Sequence, residues 1–193
     1  MRWRIAQTRS DESIVKFTET ELRGVLIIEP DVFSDERGFF LETYNRQRYS
    51  QLPGLDVEFV QDNRSRSLEN VLRGLHFQRR HPQGKLVWVA SGHVWDVAVD
   101  IDPASPTFRQ WVGVDLTETN HRQLYIPPGY AHGFCVVSDQ ADLFYKCTDV
   151  YRPGDEQGIV WNDADLNIRW PVREPVLSTR DVSCPSLRQY LAS

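Results

Sequence analysis

Short apolar runs separated by turn residues are the feature of this chain that most limits its possible folds. From Gly24 onward, the runs are broken by turn sequences such as DERG, PGL, HPQG, DPASP and RPGD. Segments this short and this regularly interrupted predict many strands, and hence a β-sandwich or barrel. The runs are 25–30, 38–44, 57–63, 71–77, 85–90, 93–101, 109–116, 122–127, 132–137, 142–151 and 158–162.

Two of these runs show further strand signals. Ser91-Gly92 separates KLVWVA (85–90) from HVWDVAVDI (93–101), which predicts a tight hairpin. Within the second run, large apolar residues at 95, 97 and 99 alternate with Asp, Ala and Asp at 96, 98 and 100. This period of two is typical of a half-buried strand.

Helix is scarce in the sequence. Residues 43–52 could form one, opened by a Thr cap, and 185–192 could form another, with Pro in its first turn. A length of 193 residues indicates a single domain. Within it, residues 1–23 are expected to be an N-terminal extension or edge strand, and 182–193 a C-terminal tail or short helix.

Composition excludes several classes of function. The net charge of -5 argues against bulk attraction to nucleic acid or an anionic membrane. The first twenty residues contain no apolar signal segment, and no apolar run approaches the length of a membrane span. Cys135, Cys147 and Cys184 are odd in number and lack CxxC spacing. We therefore expect reduced thiols in a cytoplasmic protein.

His76 is the first candidate for chemistry, because it lies in the middle of a predicted strand between two apolar residues. Strict alternation would place Arg73 and His76 on opposite faces, but a bulge at Gly74 could bring both to one side. The side chain is then either a base working near neutral pH or a core histidine bonded to the backbone.

Tyr145 is the second candidate. On a strand, Leu143, Tyr145 and Cys147 share one face, and Lys146 prefers water on the other, so Tyr145 is expected to point inward. A buried phenol needs a hydrogen-bond partner. Tyr145 is either bonded to the backbone or a proton donor that faces a ligand cavity.

The segment PPGYAHGF (127–134) contains His132 and matches the outline of the second cupin motif. Metal-binding cupins take further ligands from an H-x-H pair, which here reads His76-Phe77-Gln78 and lacks its second histidine. One histidine from each motif does not complete a metal site, so no functional metal is expected.

Three basic residues lie inside or beside apolar strands, where charged side chains need partners. Either each pairs with a nearby carboxylate, or together they hold an anion such as a diphosphate. The basic residues are Arg37, Arg73 and Lys85, and the candidate carboxylates are Glu42, Asp62 and Asp96.

Several ordered segments resemble the dTDP-4-dehydrorhamnose 3,5-epimerase family. The similarity runs from about Gly24 to about Asp181, and residues 1–23 and the last dozen carry little of it. The segments are SDERGFFLETYN (34–45), FVQDNRSRS (59–67), NVLRGLHFQ (70–78), GKLVWVASGHVWDVAVDI (84–101), SPTFRQWVGVDL (105–116), RQLYIPPGYAHGF (122–134), FYKCTDVY (144–151) and WNDADLNIRWP (161–171).

The resemblance implies an all-β, cupin-like jelly roll that needs no metal or other cofactor and acts as a homodimer. It implies inversion of C3 and C5 of dTDP-4-dehydro-6-deoxy-D-glucose, on the way to dTDP-L-rhamnose. His76 would be the general base, and Asp181 its carboxylate partner. Tyr145 would be the acid, and Lys85 would stabilise the enolate. The substrate pocket would be lined by Arg37, Glu42, Gln61, Asp62, Asn63, Arg73, Lys85, His132 and Glu156, and by Arg180, which stands where the family often has lysine.

These residue types fit the chemistry. Both carbons flank the 4-keto group, so removing either proton gives an enolate that a cation can stabilise. Alternatives are an epimerase that inverts only C3 or C5 of a related nucleotide sugar, a metal-dependent cupin enzyme, and a jelly roll that binds a nucleotide sugar without catalysis.

Overall fold

The computed structural model describes residues 15–193, and nearly all of its regular structure is β-strand. The strands are β1 (Lys16–Glu19), β2 (Leu26–Glu29), β3 (Val32–Asp35), β4 (Gly38–Leu41), β5 (Gln61–Leu68), β6 (Leu72–Gln78), β7 (Lys85–Ser91), β8 (His93–Asp100), β9 (Trp111–Thr117), β10 (Gln123–Ile126), β11 (Tyr130–Val136), β12 (Gln140–Cys147) and β13 (Glu156–Gly158). The helices are α1 (Arg46–Tyr49), α2 (Thr179–Val182) and α3 (Leu187–Leu191).

Two antiparallel sheets face each other, which confirms the expected cupin-like jelly roll. One has six strands in the order β1-β2-β10-β7-β12-β5, and the other has five in the order β13-β6-β11-β8-β9. Strands β3 and β4 form a separate two-stranded sheet. Residues 16–19 form the outermost strand of the larger sheet, whereas the N-terminal extension or strand expected for residues 1–14 lies outside the described part of the chain.

The main apolar core lies between the two sheets. Val87 and Leu124 project into it from the six-stranded sheet, and Val94 and Phe134 from the five-stranded sheet. Because the outer face of the six-stranded sheet is also covered, by the segment around α1, most of its central strands are buried on both sides.

Strand β8 has a sequence period of two although both of its faces are buried. Val97 and Val99 pack on a second core with Leu166 and Leu187 from the C-terminal segment. The polar face of the strand is buried as well, so the prediction of a half-buried strand is wrong. Asp96 on that face is fully buried and bonded to His132, so the alternating polar positions mark a buried hydrogen-bonded pair and not a solvent-facing side.

The Ser91-Gly92 hairpin prediction is also wrong. Strand β7 belongs to the six-stranded sheet and β8 to the five-stranded sheet, so residues 91–92 carry the chain from one sheet to the other. Gly92 has a φ of +84°, and a Cβ there would approach the carbonyl oxygen of Gln140 to 2.1 Å. The sequence identified the tight turn correctly but not the partners of the two strands.

The predicted helices need correction at their ends. The helix expected at 43–52 is limited to α1, and its cap is Asn45 instead of a threonine, because the Asn45 side chain accepts from the Arg48 backbone N–H. The C-terminal helix is confirmed as α3, opened by a capping box between Ser186 and Gln189, with the proline just before the cap.

Two strand predictions are displaced along the chain. The run at 57–63 contributes only its last residues to β5, which continues as the polar sequence QDNRSRSL. The run at 158–162 contributes only Gly158 to β13. Strand β5 lies at the edge of its sheet, with alternate residues facing a cavity and solvent, so both of its faces are polar and no hydrophobic period marks it.

The predicted bulge at Gly74 is present. His76 of β6 lies opposite His132 of β11, and Arg73 lies opposite Phe134, so β6 spans the same stretch with one extra residue. Gly74 has a φ of +116°, and a Cβ there would lie 2.6 Å from the Cα of Gly133. The bulge therefore places Arg73 and His76 on the same side of the sheet, and only glycine fits at its centre.

We predict that Gly74→Ala lowers the free energy of unfolding by about 2 kcal/mol or more, because both strain and overlap with β11 oppose the new methyl group. The matched control is Gly129→Ala, since Gly129 has a φ of +98° but open space around it. The control should cost about 1 kcal/mol from backbone strain alone. Urea unfolding measures both, and equal losses would contradict the close-approach argument.

Candidate active site

A polar cavity of about 570 Å³ lies between the two sheets. Its walls come from β5, β7 and β12 of one sheet and from β6, β11 and β13 of the other, with α2 at the rim. Ten of the residues proposed from the sequence line it: His76, Tyr145, Asp181, Lys85, Gln61, Asn63, Arg73, His132, Glu156 and Arg180.

His76 and Asp181 form a short hydrogen bond of 2.6 Å between Nε2 and Oδ1. Asp181 is buried, and its other oxygen accepts from the Ser178 hydroxyl at 2.7 Å. Burial raises the pKa of the Asp181 carboxyl, but the hydrogen bonds from His76, Ser178 and the Gly74 backbone outweigh it, so the pKa lies below its ordinary value. The carboxylate is therefore held charged beside the ring.

This bond fixes the chemistry of the imidazole. Because the carboxylate accepts from Nε2, the neutral ring carries its proton there and its lone pair on Nδ1. Nδ1 lies 3.9 Å from Oε1 of Glu156, beyond hydrogen-bonding distance. His76 is thus oriented as a base with one free nitrogen, and the alternative of a core histidine bonded to the backbone is not what the structure shows.

The Lys85 side chain has no counter-ion in direct contact among the described residues. Desolvation in the cavity wall lowers the pKa of Lys85, although Cys147, Asp96 and Glu156 oppose the shift. Within residues 15–193, its ammonium makes no ion pair or side-chain hydrogen bond. An unpaired, desolvated ammonium favours a ligand atom that is, or becomes, negatively charged.

His132 lies deeper than His76. Its Nε2 bonds both oxygens of Asp96, at 2.9 and 3.0 Å, and Asp96 is fully buried. Burial lowers the pKa of His132, while Asp96 opposes the change. This second His–Asp pair forms the floor of the cavity.

Tyr145 points into the cavity, as the parity of β12 predicts. Burial raises the pKa of its phenol, and the nearby Cys147 and Glu156 raise it further. No residue in 15–193 forms a hydrogen bond with the hydroxyl, so the backbone-bonded alternative is not observed. The expectation that Lys146 seeks water is wrong, because its ammonium pairs with Asp62 at 2.7 Å and lies over the Tyr44 ring.

Three of the proposed pocket residues do not line the cavity of the described chain. Arg37 lies at the β3–β4 turn and pairs with Asp35. Glu42 binds Arg48 at 3.1 Å. Asp62 projects from the opposite face of β5, because it alternates with Gln61 and Asn63, which face the cavity.

The structure also adds residues to the site that the sequence did not indicate. Tyr151 donates its hydroxyl proton to Oε2 of Glu156 at 2.6 Å. Ser178 caps α2 and binds Asp181. The Ser-x-x-Asp spacing before α2 is an N-cap signal that could have located this short helix.

A cupin-type jelly roll with a His–Asp pair, a lysine and a tyrosine in one cavity defines an enzyme equipped for proton transfer beside a carbonyl group. Residues 19–189 match the family model described as dTDP-4-dehydrorhamnose 3,5-epimerase, and the chain belongs to that family.

Individual relatives are named as 3,5-epimerases or, in one case below, as a 3-epimerase. The chain is 55% identical over 175 residues to the dTDP-4-dehydrorhamnose 3,5-epimerase of Salmonella typhimurium, covering 90% of this chain and 96% of that protein. A dTDP-6-deoxy-D-glucose-3,5-epimerase of Legionella pneumophila, solved in complex with dTDP-4-keto-L-rhamnose, has a TM-score of 0.88 and 51% identity, covering 90% and 93% of the two chains. A dTDP-4-dehydrorhamnose 3-epimerase of Streptomyces niveus is 39% identical over 161 residues, covering 83% and 78%.

The position of the missing metal ligand is occupied by Gln78, which has a structural task. Its amide donates to the carbonyl oxygen of His81 at 2.8 Å, and its oxygen accepts from the Arg152 backbone. Among residues 15–193, no group of three His, Cys, Asp or Glu side chains is arranged to hold a metal ion. The two cavity histidines are instead each bonded to a carboxylate.

We predict that metal removal leaves activity unchanged, because no three His, Cys, Asp or Glu side chains in the described part of the chain are arranged to hold a metal ion. The protein is incubated with EDTA, passed through gel filtration and assayed for hydrogen exchange on a 4-keto nucleotide sugar. A loss of rate that a divalent ion restores would overturn the metal-free interpretation.

Proposed function

We propose that this protein epimerises dTDP-4-dehydro-6-deoxy-D-glucose at C3 and C5 to give dTDP-4-dehydro-L-rhamnose, a step towards dTDP-L-rhamnose. The observation that supports it most directly is one cavity that contains an oriented base, an unpaired cation and an unpaired phenol. Membership of the epimerase family supplies the substrate class. The chemistry needs proton transfer only, so no redox step and no cofactor enter it.

His76 starts the reaction in this proposal. Its Nδ1 takes a proton from the carbon next to the 4-ketone, and the electrons of that bond move to the ketone oxygen. Asp181 stabilises the imidazolium that forms, and the ammonium of Lys85 stabilises the enolate oxygen. Tyr145 then donates its hydroxyl proton to the other face of the carbon, which inverts it. The raised pKa of Tyr145 keeps the phenol protonated until the enolate takes its proton.

The polar wall of β5 and the basic residues at the rim are proposed to bind the nucleotide part. Gln61 and Asn63 present amides to the cavity, and Arg73 is held by the Ser67 hydroxyl at 3.0 Å. A diphosphate needs such donors because the chain as a whole is acidic. His132, with Asp96, is proposed to support the sugar end.

A homodimer is proposed to complete this site. The β3–β4 hairpin exposes Phe33, Phe39 and Phe40, each at least 60% accessible, which is unusual for a solvent-facing sheet. Arg37 lies at the tip of that hairpin and Glu42 just beyond it. In this proposal the hairpin packs on a second copy, and Arg37 and Glu42 reach the partner's cavity. They can then bind substrate although they lie outside the cavity of their own chain.

We also propose a cytoplasmic location, supported by three cysteines that are all free. No helix among residues 15–193 is long and apolar enough to cross a membrane.

The first test of the function is proton NMR of the 4-keto nucleotide sugar in D2O. We expect exchange and inversion at both C3 and C5 with the wild type. His76→Ala should lower the rate by about 10²- to 10⁴-fold or more, because the base is lost. The fold should survive, since the cavity costs about 1–3 kcal/mol.

The matched control is His93→Ala, which removes a histidine outside the cavity. A normal rate in folded His76→Ala would assign the base to another residue. Exchange at one carbon only in the wild type would make the protein a single-centre epimerase.

The second prediction separates the acid from the base. Tyr145→Phe removes the donor but leaves His76 able to abstract a proton and return a deuteron to the same face. We therefore expect measurable exchange in D2O with most of the inverted product lost. Tyr130→Phe, which removes a hydroxyl bonded to the Arg23 carbonyl, is the control and should behave like the wild type. Equal losses of exchange and inversion would show that Tyr145 acts in abstraction or binding.

The third prediction tests the shared site by mixing two inactive variants. Arg37→Ala should lose substrate binding and His76→Ala should lose catalysis. After unfolding together and refolding at equal amounts, random pairing leaves roughly a quarter of all cavities with both residues intact. Activity should return to that level. No recovery in mixed dimers would show that Arg37 serves its own chain.

A further inference from the structure

The carboxylate of Glu156 lies where three groups at the cavity rim meet. Its Oε2 accepts from the Tyr151 hydroxyl and from the Arg180 guanidinium, and its Oε1 faces Nδ1 of His76 at 3.9 Å. The side chain is only 15% exposed, so its charge is poorly screened. Glu156 is therefore a second carboxylate beside the ring that Asp181 already holds.

The distance between Glu156 and Nδ1 matters for a base. A carboxylate bonded to Nδ1 would occupy the lone pair that must take the substrate's proton. It would also favour the protonated ring, because an opposite charge within about 4–6 Å raises the pKa of an imidazole. At 3.9 Å, Glu156 is near enough to stabilise an imidazolium but makes no hydrogen bond with it.

Both bonds that restrain Glu156 act on the oxygen farther from the ring. Tyr151 and Arg180 bind Oε2, and a second guanidinium nitrogen of Arg180 donates to the Glu156 backbone carbonyl at 3.3 Å. Arg180 belongs to the four-residue helix α2 and Glu156 to strand β13, so these bonds also join two neighbouring elements. Arg180 thus holds both the backbone and the carboxylate of Glu156 from one side.

We propose that Arg180 is a positioning residue that, together with Tyr151, keeps Glu156 from bonding Nδ1 of His76 and so keeps the lone pair of the base available. This rests on the proposed role of His76 as the base. In this arrangement Glu156 contributes charge to the imidazolium without competing with the substrate for the nitrogen.

Other elements also present charged or titratable groups towards this part of the cavity. Their electrostatic contribution to His76 stays constant when only Arg180 and Glu156 are changed. They therefore do not account for the expected change in the pKa of the His76 ring. They are Asp181 on α2, His132 on β11, Lys85 on β7, Tyr145 on β12, Arg73 on β6 and Cys184 after α2.

The test uses Arg180→Met, Arg180→Lys, Glu156→Gln and the double variant Arg180→Met/Glu156→Gln. The acid limb of kcat/KM against pH is measured by hydrogen exchange on the 4-keto nucleotide sugar. The pKa of the His76 ring is measured in the free protein by NMR of labelled histidine. Circular dichroism checks that each variant is folded, which is expected because Arg180 is about half exposed.

In Arg180→Met the Glu156 carboxylate keeps only the Tyr151 bond on Oε2, and we expect it to move onto Nδ1. The ring pKa and the acid limb should both rise by about one unit, so the loss of kcat/KM should be about tenfold larger on the acidic side than at high pH, whatever the variant does to substrate binding. Glu156→Gln should lower both the ring pKa and the acid limb of kcat/KM, because a negative charge beside the ring is lost. The double variant should lose the upward shift. Arg180→Lys should show no upward shift of the ring pKa, because the ammonium still binds Glu156, and this expectation holds whatever the variant does to substrate binding.

A uniform loss at all pH values in Arg180→Met, with no reversal in the double variant, would overturn the proposal and leave Arg180 as a structural or substrate-binding residue. An unchanged ring pKa in Arg180→Met would overturn it equally. If the ring pKa rises as expected but the acid limb does not follow, the positioning role stands, and it is His76 as the base that fails.

Discussion

One extra residue in β6 determines which side chains face the cavity. Without the bulge at Gly74, Arg73 and His76 would project to opposite sides of the five-stranded sheet. The bulge also turns the Gly74 N–H towards Asp181, so the same irregularity orients His76, the proposed base, and helps to hold the carboxylate charged. Close contact with Gly133 of β11 leaves no room for a side chain there. The proposed catalytic arrangement thus depends on a glycine that has no part in the proposed chemistry.

Charge inside the cavity is divided between paired and unpaired groups. Asp181, Asp96 and Glu156 all have hydrogen-bond donors, so each carboxylate is satisfied without the substrate. Lys85, the Tyr145 hydroxyl and the Ser65 hydroxyl are contrasting cases in the described chain, because none of the three has a hydrogen-bond partner. Unpaired polar groups that are partly buried are costly, and a ligand that supplies an enolate oxygen and a reacting carbon gives Lys85 and Tyr145 their partners. The unpaired groups therefore show where the reacting part of a substrate fits.

The sequence predicted the architecture well because most strands carry apolar side chains into one of three cores, as Val87, Val97 and Leu86 do. It failed where structure depends on distant partners. Strand β5 is polar on both faces, and the turn at 91–92 joins two sheets. The link between His76 and Asp181 spans 105 residues, so local spacing could not reveal it, and only family resemblance indicated it. The alternation of side chains along β12 placed Tyr145 correctly, although the expected exposure of Lys146 to water was wrong. Pleating of the strand fixes the direction of each side chain regardless of what covers the other face.

The two histidines of the cavity show how burial assigns different roles to the same pair of residues. His76 and His132 lie directly opposite each other on β6 and β11, and each is bonded to an aspartate. His132 is 8% exposed over a fully buried Asp96, and both oxygens of that carboxylate are committed to it. The side chain of His76 is 24% exposed and bonds a single oxygen of Asp181. A ring that must gain and lose protons needs an open nitrogen and a partner that tolerates both states, whereas a ring at the floor needs a fixed orientation. The more exposed pair, His76–Asp181, is therefore suited to proton transfer. The buried pair, His132–Asp96, is suited to supporting the bound substrate.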